Sequence, residues 1–378
     1  RSKTASKKNR KIRRAAAPAK SAEDIPPHKE PILRFVPNSK AVPVSFSLQK
    51  DSPVASTAYV GLLDKCEVGE KRTWGLTELV GPRAEEGFTL IQAKPGTTVP
   101  FADADGRVVG LMVYPADPSI EACADEAAKL IGALRPQASF TSKQRRSRRG
   151  DFPQLSGGVA HGGGRLKPDN IVHNENNRAV LDKLFESKPF QRLSGFATGV
   201  FKTWAPKLFD YCKDHFELLL GSDSTLVRIF QNSVLPVAAF NFGPRTVCLP
   251  HIDFGNLPFN WCWIWSLGHF NWQKGGHLIL WDFGLVVEFP PGSLAAIPSG
   301  VCRHLNTRIG RREVRYSFTQ YAPGGNFRWV DHGFQSEESY VASLSKEEAR
   351  AELGCKRRRW AMGLDLFSTI EELGLCTS

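Results

Sequence analysis

A His-x-Asp pair at 251 and 253, set in a run of short strand-like segments punctuated by Gly and Pro, constrains this 378-residue chain more than any other feature. Side chains at i and i+2 of an extended segment leave the same face, so His251 and Asp253 would grip one ion together. His269, His277 and His304 compete to supply a third ligand. His304, about fifty residues on and set on another strand, would complete a face of two imidazoles and one carboxylate, an arrangement that leaves open positions on non-haem Fe(II).

The pattern predicts strands over 237–241, 247–253, 261–266, 277–281, 286–289, 293–297 and 315–321. Short, regularly spaced strands parted by turn residues point to a sandwich or barrel, here a double-stranded β-helix (jelly roll) holding the metal between its two sheets. Along the last strand Arg315, Ser317 and Thr319 share one face. A guanidinium aimed into a pocket beside a metal matches a carboxylate bidentately, and a hydroxyl next to it adds a donor. That pair would suit the far carboxylate of 2-oxoglutarate. Arg308, Arg311 and Arg312 lie nearby in sequence, so a plain surface role for Arg315 stays open on spacing alone.

The order His-x-Asp-x-x-Asn, Gly-Gly-x-Leu, His, Arg-x-Ser resembles the TET/JBP nucleic-acid dioxygenases, which oxidise the methyl group of modified bases. Phe-Asn-Phe-Gly-Pro before the first His, with Phe-Pro-Pro-Gly-Ser and Ser-Phe-Thr-Gln-Tyr after it, looks like the branch expanded in mushroom-forming (basidiomycete) fungi. The resemblance covers roughly the C-terminal half of the chain. It implies a jelly-roll core, Fe(II) on His251, Asp253 and His304, and 2-oxoglutarate and O2 as cosubstrates. Arg315 and Ser317 would bind one carboxylate of 2-oxoglutarate, and Arg245 and Asn241 are candidates for the other. Asn256 falls at the family's base-reading position, where an amide suits a Watson–Crick edge. The family's second base-reading His is replaced by Pro323, with Asn326, Arg328, Asp331 and His332 further along as substitutes. The implied reaction is oxidation of 5-methylcytosine in duplex DNA with the base flipped out. Its rivals are a dioxygenase acting on N6-methyladenine, a protein side chain or a small molecule, and a non-catalytic nucleic-acid-binding relative.

Outside this block the chain divides by composition. Residues 1–41 form a basic tail, too polar to fold alone, whose opening run carries Arg1, Lys3, Lys7, Lys8, Arg10, Lys11, Arg13, Arg14 and Lys20 with no acid before Glu23. The tail would serve as a phosphate contact, a nuclear address or a solvated end. The chain starts without Met, as a fragment would. Residues 42–141 read as a small α+β lobe flanking the core, with a helix over 119–134. Residues 142–169 read as a basic, Gly-rich linker whose Arg145, Arg146, Arg148 and Arg149 are suited to DNA phosphates. Bracing helices over 174–188 and 190–220 open the core region, 170–340, and a charged helical tail, 346–359 then 360–373, fills 341–378.

Net charge is +12, which favours an anionic partner. No stretch approaches a membrane span and no leader is evident, so an intracellular protein is expected. Eight cysteines without a Cys-x-x-Cys pair argue against a structural zinc or a disulfide framework.

Overall fold

The computed structural model describes residues 36, 39–63, 72–82 and 84–377. The basic run up to Lys20 and Cys66 lie outside them. In order the elements are β1 (Lys40–Pro43), α1 (Leu48–Asp51), α2 (Leu76–Leu79), β2 (Thr89–Ile91), β3 (Thr97–Ala102), β4 (Val108–Tyr114) and α3 (Pro118–Leu134). Next come α4 (Ser142–Arg145), β5 (Gln154–Ala160), β6 (Asp169–Asn170), α5 (Glu175–Glu186), α6 (Lys188–Trp204) and α7 (Pro206–Ser222). The strand-rich block holds β7 (Val237–Asn241), β8 (Cys262–His269), β9 (Leu278–Leu280), β10 (Leu285–Val287), β11 (Leu294–Ile297), β12 (His304–Asn306) and β13 (Val314–Tyr321). It is followed by α8 (Gly324–Asp331), α9 (Glu337–Ser343), α10 (Lys346–Leu364) and β14 (Cys376–Thr377). The architecture is mixed α+β.

Two sheets form. The larger runs β14-β1-β3-β4-β11-β8-β13-β7-β5-β6 and the smaller β12-β9-β10-β2. From β7 onward the chain alternates between them: β7 in the large sheet, residue 251 bridged to β12 of the small one, β8 back in the large, β9 and β10 in the small, then β11, β12 and β13 in turn. Consecutive ligand-bearing segments therefore meet at one end of the small sheet.

The large sheet is covered by helices. α6 carries Phe190, Leu193, Ala197, Val200, Phe201 and Trp204 at helical spacing on its buried side. Phe190 meets Phe240 of β7 at 4.9 Å and Phe318 of β13 at 5.0 Å, and Phe201 meets Trp263 of β8 at 5.5 Å between ring centres. The helix stops at Ala205 because Pro206 has no N–H to continue it, and Pro206 instead opens α7.

Several expectations are revised. Residues 42–141 do not stand apart as a lobe, because β4 pairs with β11, Leu111 opposite Ala296, and β2 runs parallel to β10. All seven residues of β4 are buried, the sign of a strand covered on both faces. The stretch 142–169 is no simple linker, since it contains β5, which pairs with β7 inside the large sheet. Two of its glycines, on β5, are packing requirements: a Cβ on Gly157 would lie 2.6 Å from the Phe185 ring, and one on Gly158, at φ +111°, 2.0 Å from the Pro236 carbonyl. Residues 247–253 form no regular strand, only the bridge at His251. In the tail the two expected helices are a single one, α10, followed by turns and then β14, which pairs with β1. No helix among the described residues is long and apolar enough to cross a membrane.

Candidate metal centre

His251, Asp253 and His304 converge, with one ligand atom from each lying within 4.8 Å of the others, and all three side chains are buried. Nε2 of His251 lies 3.6 Å from Oδ1 of Asp253, and Nε2 of His304 lies 3.9 Å from Oδ2. The two rings are 4.2 Å apart between centres. Backbone pairing sets this up: the His251 N–H donates to the His304 carbonyl at 3.2 Å and the reverse bond is 3.0 Å, while the Asp253 N–H donates to Ser299 at 2.7 Å.

Each imidazole is fixed in the tautomer a metal needs. Nδ1 of His251 bonds the Leu249 carbonyl at 2.7 Å, and Nδ1 of His304 bonds the Cys302 carbonyl at 3.0 Å. With the proton held on Nδ1, the Nε2 lone pairs are presented inward. Burial lowers the pKa of both rings, that of His251 well below the usual range, so they stay neutral. Burial opposes ionisation of Asp253, but the Arg149 guanidinium, with Nη2 2.7 Å from Oδ1, outweighs it and holds the carboxyl below the usual range. Two neutral imidazoles and one carboxylate, all deprotonated at neutral pH, are a donor set that fits Fe(II).

Beside this centre lies a buried cation. Arg315 is 1% exposed and has no ion-pair partner among the described residues. Its Nη1 donates to the Thr246 carbonyl at 3.0 Å and lies 3.5 Å from Oδ1 of Asn306, two residues beyond His304 on β12. Burial lowers its pKa to about 10. Asn241 donates from Nδ2 to the Ser317 hydroxyl at 2.7 Å. Arg315 Nε, Thr246 Oγ1 and Asn241 Oδ1 are buried without a protein hydrogen-bond partner. A buried guanidinium with no counter-ion and orphaned polar neighbours is costly unless an anion joins it. The residues thus fit a carboxylate ligand.

The remaining expected residues divide by place. Asn256 is 9% exposed; its Nδ2 donates to Ser299 Oγ at 3.1 Å, and its backbone pairs with Pro323, so these two residues lie side by side. Asp331 accepts from the Tyr59 hydroxyl at 2.6 Å and pairs with His215 Nε2 at 3.0 Å, while His332 stacks on Tyr340 at 4.2 Å. These contacts tie both residues to the packing of α8 instead of aiming them at the metal ligands. His269 is 74% exposed, beside Asp125 at 3.1 Å, and His277 is buried on Thr307 at 2.9 Å; neither joins the cluster.

The basic residues separate similarly. Arg245, expected near a carboxylate of 2-oxoglutarate, is exposed, and its Nη1 donates to the Arg311 carbonyl at 3.0 Å. It lines an open cleft of about 1040 Å³ with Arg146, Arg148, Arg308 and Arg311, against the single acid Asp151. Arg145 is exposed and turned to the Phe140 carbonyl at 3.3 Å. Arg149 alone of the four linker arginines reaches the metal ligands.

Sequence reasoning missed Thr246 and Asn306 beside Arg315, and Arg149 beside Asp253. Asn306 had a signal, its i+2 spacing from His304 on one strand face. Arg149 had none, because its partner lies about a hundred residues away.

No family model matches the chain. No curated protein matches it either. Among solved structures it is similar to NgTET1, from Naegleria, in complex with 5mC DNA, at 15% identity over 63% of this chain and 83% of that chain, with a TM-score of 0.45. It is also similar to an oxidoreductase of the 2OG-Fe(II) oxygenase family from Burkholderia pseudomallei, at 15% identity over 57% of this chain and 84% of that chain, with a TM-score of 0.32.

Proposed function

We propose that this chain is an Fe(II)/2-oxoglutarate-dependent dioxygenase of the TET/JBP type, in the branch expanded in mushroom-forming fungi, that oxidises the methyl group of 5-methylcytosine in DNA. The observation that carries the reading is the convergence of His251, Asp253 and His304, Nε2 atoms inward, next to a buried Arg315 that has no ion-pair partner among the described residues. The alternation of β7 to β13 between two sheets supports a double-stranded β-helix core. The ordered motifs from His-x-Asp-x-x-Asn to Arg-x-Ser support the family.

His251, Asp253 and His304 would hold the metal, and the remaining positions stay open for cosubstrate and oxygen. Iron held there would supply, with 2-oxoglutarate and O2, hydroxylation of a C–H bond with release of succinate and CO2. Arg315 would fix the distal carboxylate through its fork, with Thr246 and Ser317 as hydroxyl neighbours. Nδ1–H bonds to Leu249 and Cys302 keep both rings oriented throughout. Because the ligands are buried, a base in a duplex has to leave the stack to reach them. Asn256, oriented by the bond from its Nδ2 to Ser299, would offer its carbonyl oxygen to the amino group of cytosine. The five-arginine cleft, with Arg145 and the basic tail, would track the phosphates.

The test is base-resolved mass spectrometry of methylated duplex DNA after incubation with the protein, Fe(II) and 2-oxoglutarate. Oxidised 5-methylcytosine with matching succinate is expected. Succinate without base oxidation would displace the substrate, and no succinate under any condition would end the dioxygenase reading.

A further inference from the structure

We propose that the tight turn at residues 147–150 is a strap over the metal-ligand segment, in which Arg149 is a positioning residue that takes Oδ1 of Asp253 and leaves Oδ2 for the metal. This rests on the reading of His251, Asp253 and His304 as a metal site. The turn is closed by two backbone bonds, Ser147 N–H to the Gly150 carbonyl at 3.0 Å and Gly150 N–H to the Ser147 carbonyl at 3.1 Å. Gly150 makes it possible: its φ is +142°, and a Cβ there would lie 2.6 Å from the Val247 carbonyl.

Four contacts run from this turn to the ligand segment. The Arg149 carbonyl accepts from Leu249 N–H at 2.8 Å, and the Leu249 carbonyl in turn receives Nδ1 of His251. Nη2 of Arg149 lies 2.7 Å from Oδ1 of Asp253 as an ion pair, without the alignment of a hydrogen bond. Nη1 of Arg148 donates to the Ile252 carbonyl at 2.7 Å, and its guanidinium sits 5.0 Å from the centre of the Phe254 ring. The contacts thus fall on residues 249, 252, 253 and 254, which flank or include both ligands. Residues 247–254 have no strand ladder of their own beyond the bridge at His251, so the strap supplies order that the sheet does not.

An exposed ion pair would carry little meaning. Here the Asp253 side chain is 9% exposed and that of Arg149 27%, and the pair is tied at the backbone through Leu249. A guanidinium on one oxygen of a ligating carboxylate selects the other oxygen and blocks two-oxygen chelation. Partners of this kind orient metal ligands, and losing one typically weakens metal binding by about 10–100-fold.

The test is Co(II) titration, followed by the d–d absorption of the bound ion, of wild type, Arg149→Gln and Arg149→Lys. We expect Arg149→Gln to bind Co(II) at least about tenfold more weakly. Its spectrum should change as the freed carboxylate chelates through both oxygens, and Arg149→Lys should recover part of the affinity. Equal or tighter binding by Arg149→Gln with an unchanged spectrum would overturn the proposal; tighter binding would make the guanidinium a competitor of the metal. Should Arg149→Gln fail to fold, Arg148→Gln and Arg149→Lys carry the test, and full affinity in both would overturn it. A wild-type protein that takes up no Co(II) would overturn the metal reading itself, and this proposal with it.

Discussion

His251 and His304 present Nε2 for the same local reason: each donates from Nδ1 to the carbonyl two residues before it. That economy predicts sharp losses on truncation. His251→Ala, Asp253→Ala and His304→Ala should each abolish turnover and metal uptake with the fold retained, whereas His269→Ala, at an exposed position, should keep both. Metal content after dialysis and circular dichroism together check this. Arg315→Ala should weaken 2-oxoglutarate binding by about tenfold or more, since a charge-assisted bond in a buried pocket is worth about 1.5–3 kcal/mol. Lysine should rescue it only in part, because it lacks the fork. His277 gives a pH signature. Burial holds its pKa at about 4, against roughly 6.5 in an unfolded chain. A depressed native pKa means the unfolded state takes the proton first. The stabilisation is therefore full above pH ~6.5 and is lost as pH falls toward about 4, amounting to about 3 kcal/mol. Urea unfolding of wild type and His277→Gln between these pH values should show the variant losing less; parallel losses would contradict the assignment. The ligand types and their order could be read from the sequence because metal chemistry restricts the residues that serve. The partners of Arg149, Thr246 and Asn306 could not, because they depend on how distant segments meet.

At the scale of elements, strand periodicity was legible and pairing was not. The predicted positions of β7, β11 and β13 match the structure within a residue or so, because each is a short apolar run bounded by turn residues. β5 was hidden by its composition: Leu155-Ser-Gly-Gly-Val reads as a loop until Phe185 and the Pro236 carbonyl are seen to occupy the space of two side chains. The attachment of β4 to β11 was equally unreadable, because sequence patterns do not say which edges meet. Gly158→Ala should therefore destabilise the protein by at least about 1–3 kcal/mol, combining left-handed strain with a clash against backbone. Thermal melting checks it, and an unchanged midpoint would mean that β5 is not fixed to β7 as described.

Over the whole molecule, cationic charge collects along a cleft that borders the ligand segment at Val247 and Leu249. Net charge is +12, and five arginines line the cleft where Arg148 reaches the ligand segment. Replacing Arg146, Arg308 and Arg311 by Gln should weaken DNA binding almost equally for all sequences. It should also flatten the dependence of log affinity on log salt, by roughly 0.9 for each phosphate that is no longer neutralised. Equal slopes would remove the cleft from the DNA path. The central claim, that His251, Asp253 and His304 hold an iron served by Arg315, is tested most directly by anaerobic calorimetry with Fe(II) followed by 2-oxoglutarate. Wild type should bind one Fe(II) per chain and then 2-oxoglutarate, with iron lost in His304→Ala and the cosubstrate weakened in Arg315→Ala. Tight 2-oxoglutarate binding that ignores both substitutions, or no Fe(II) bound by the wild type, would contradict it.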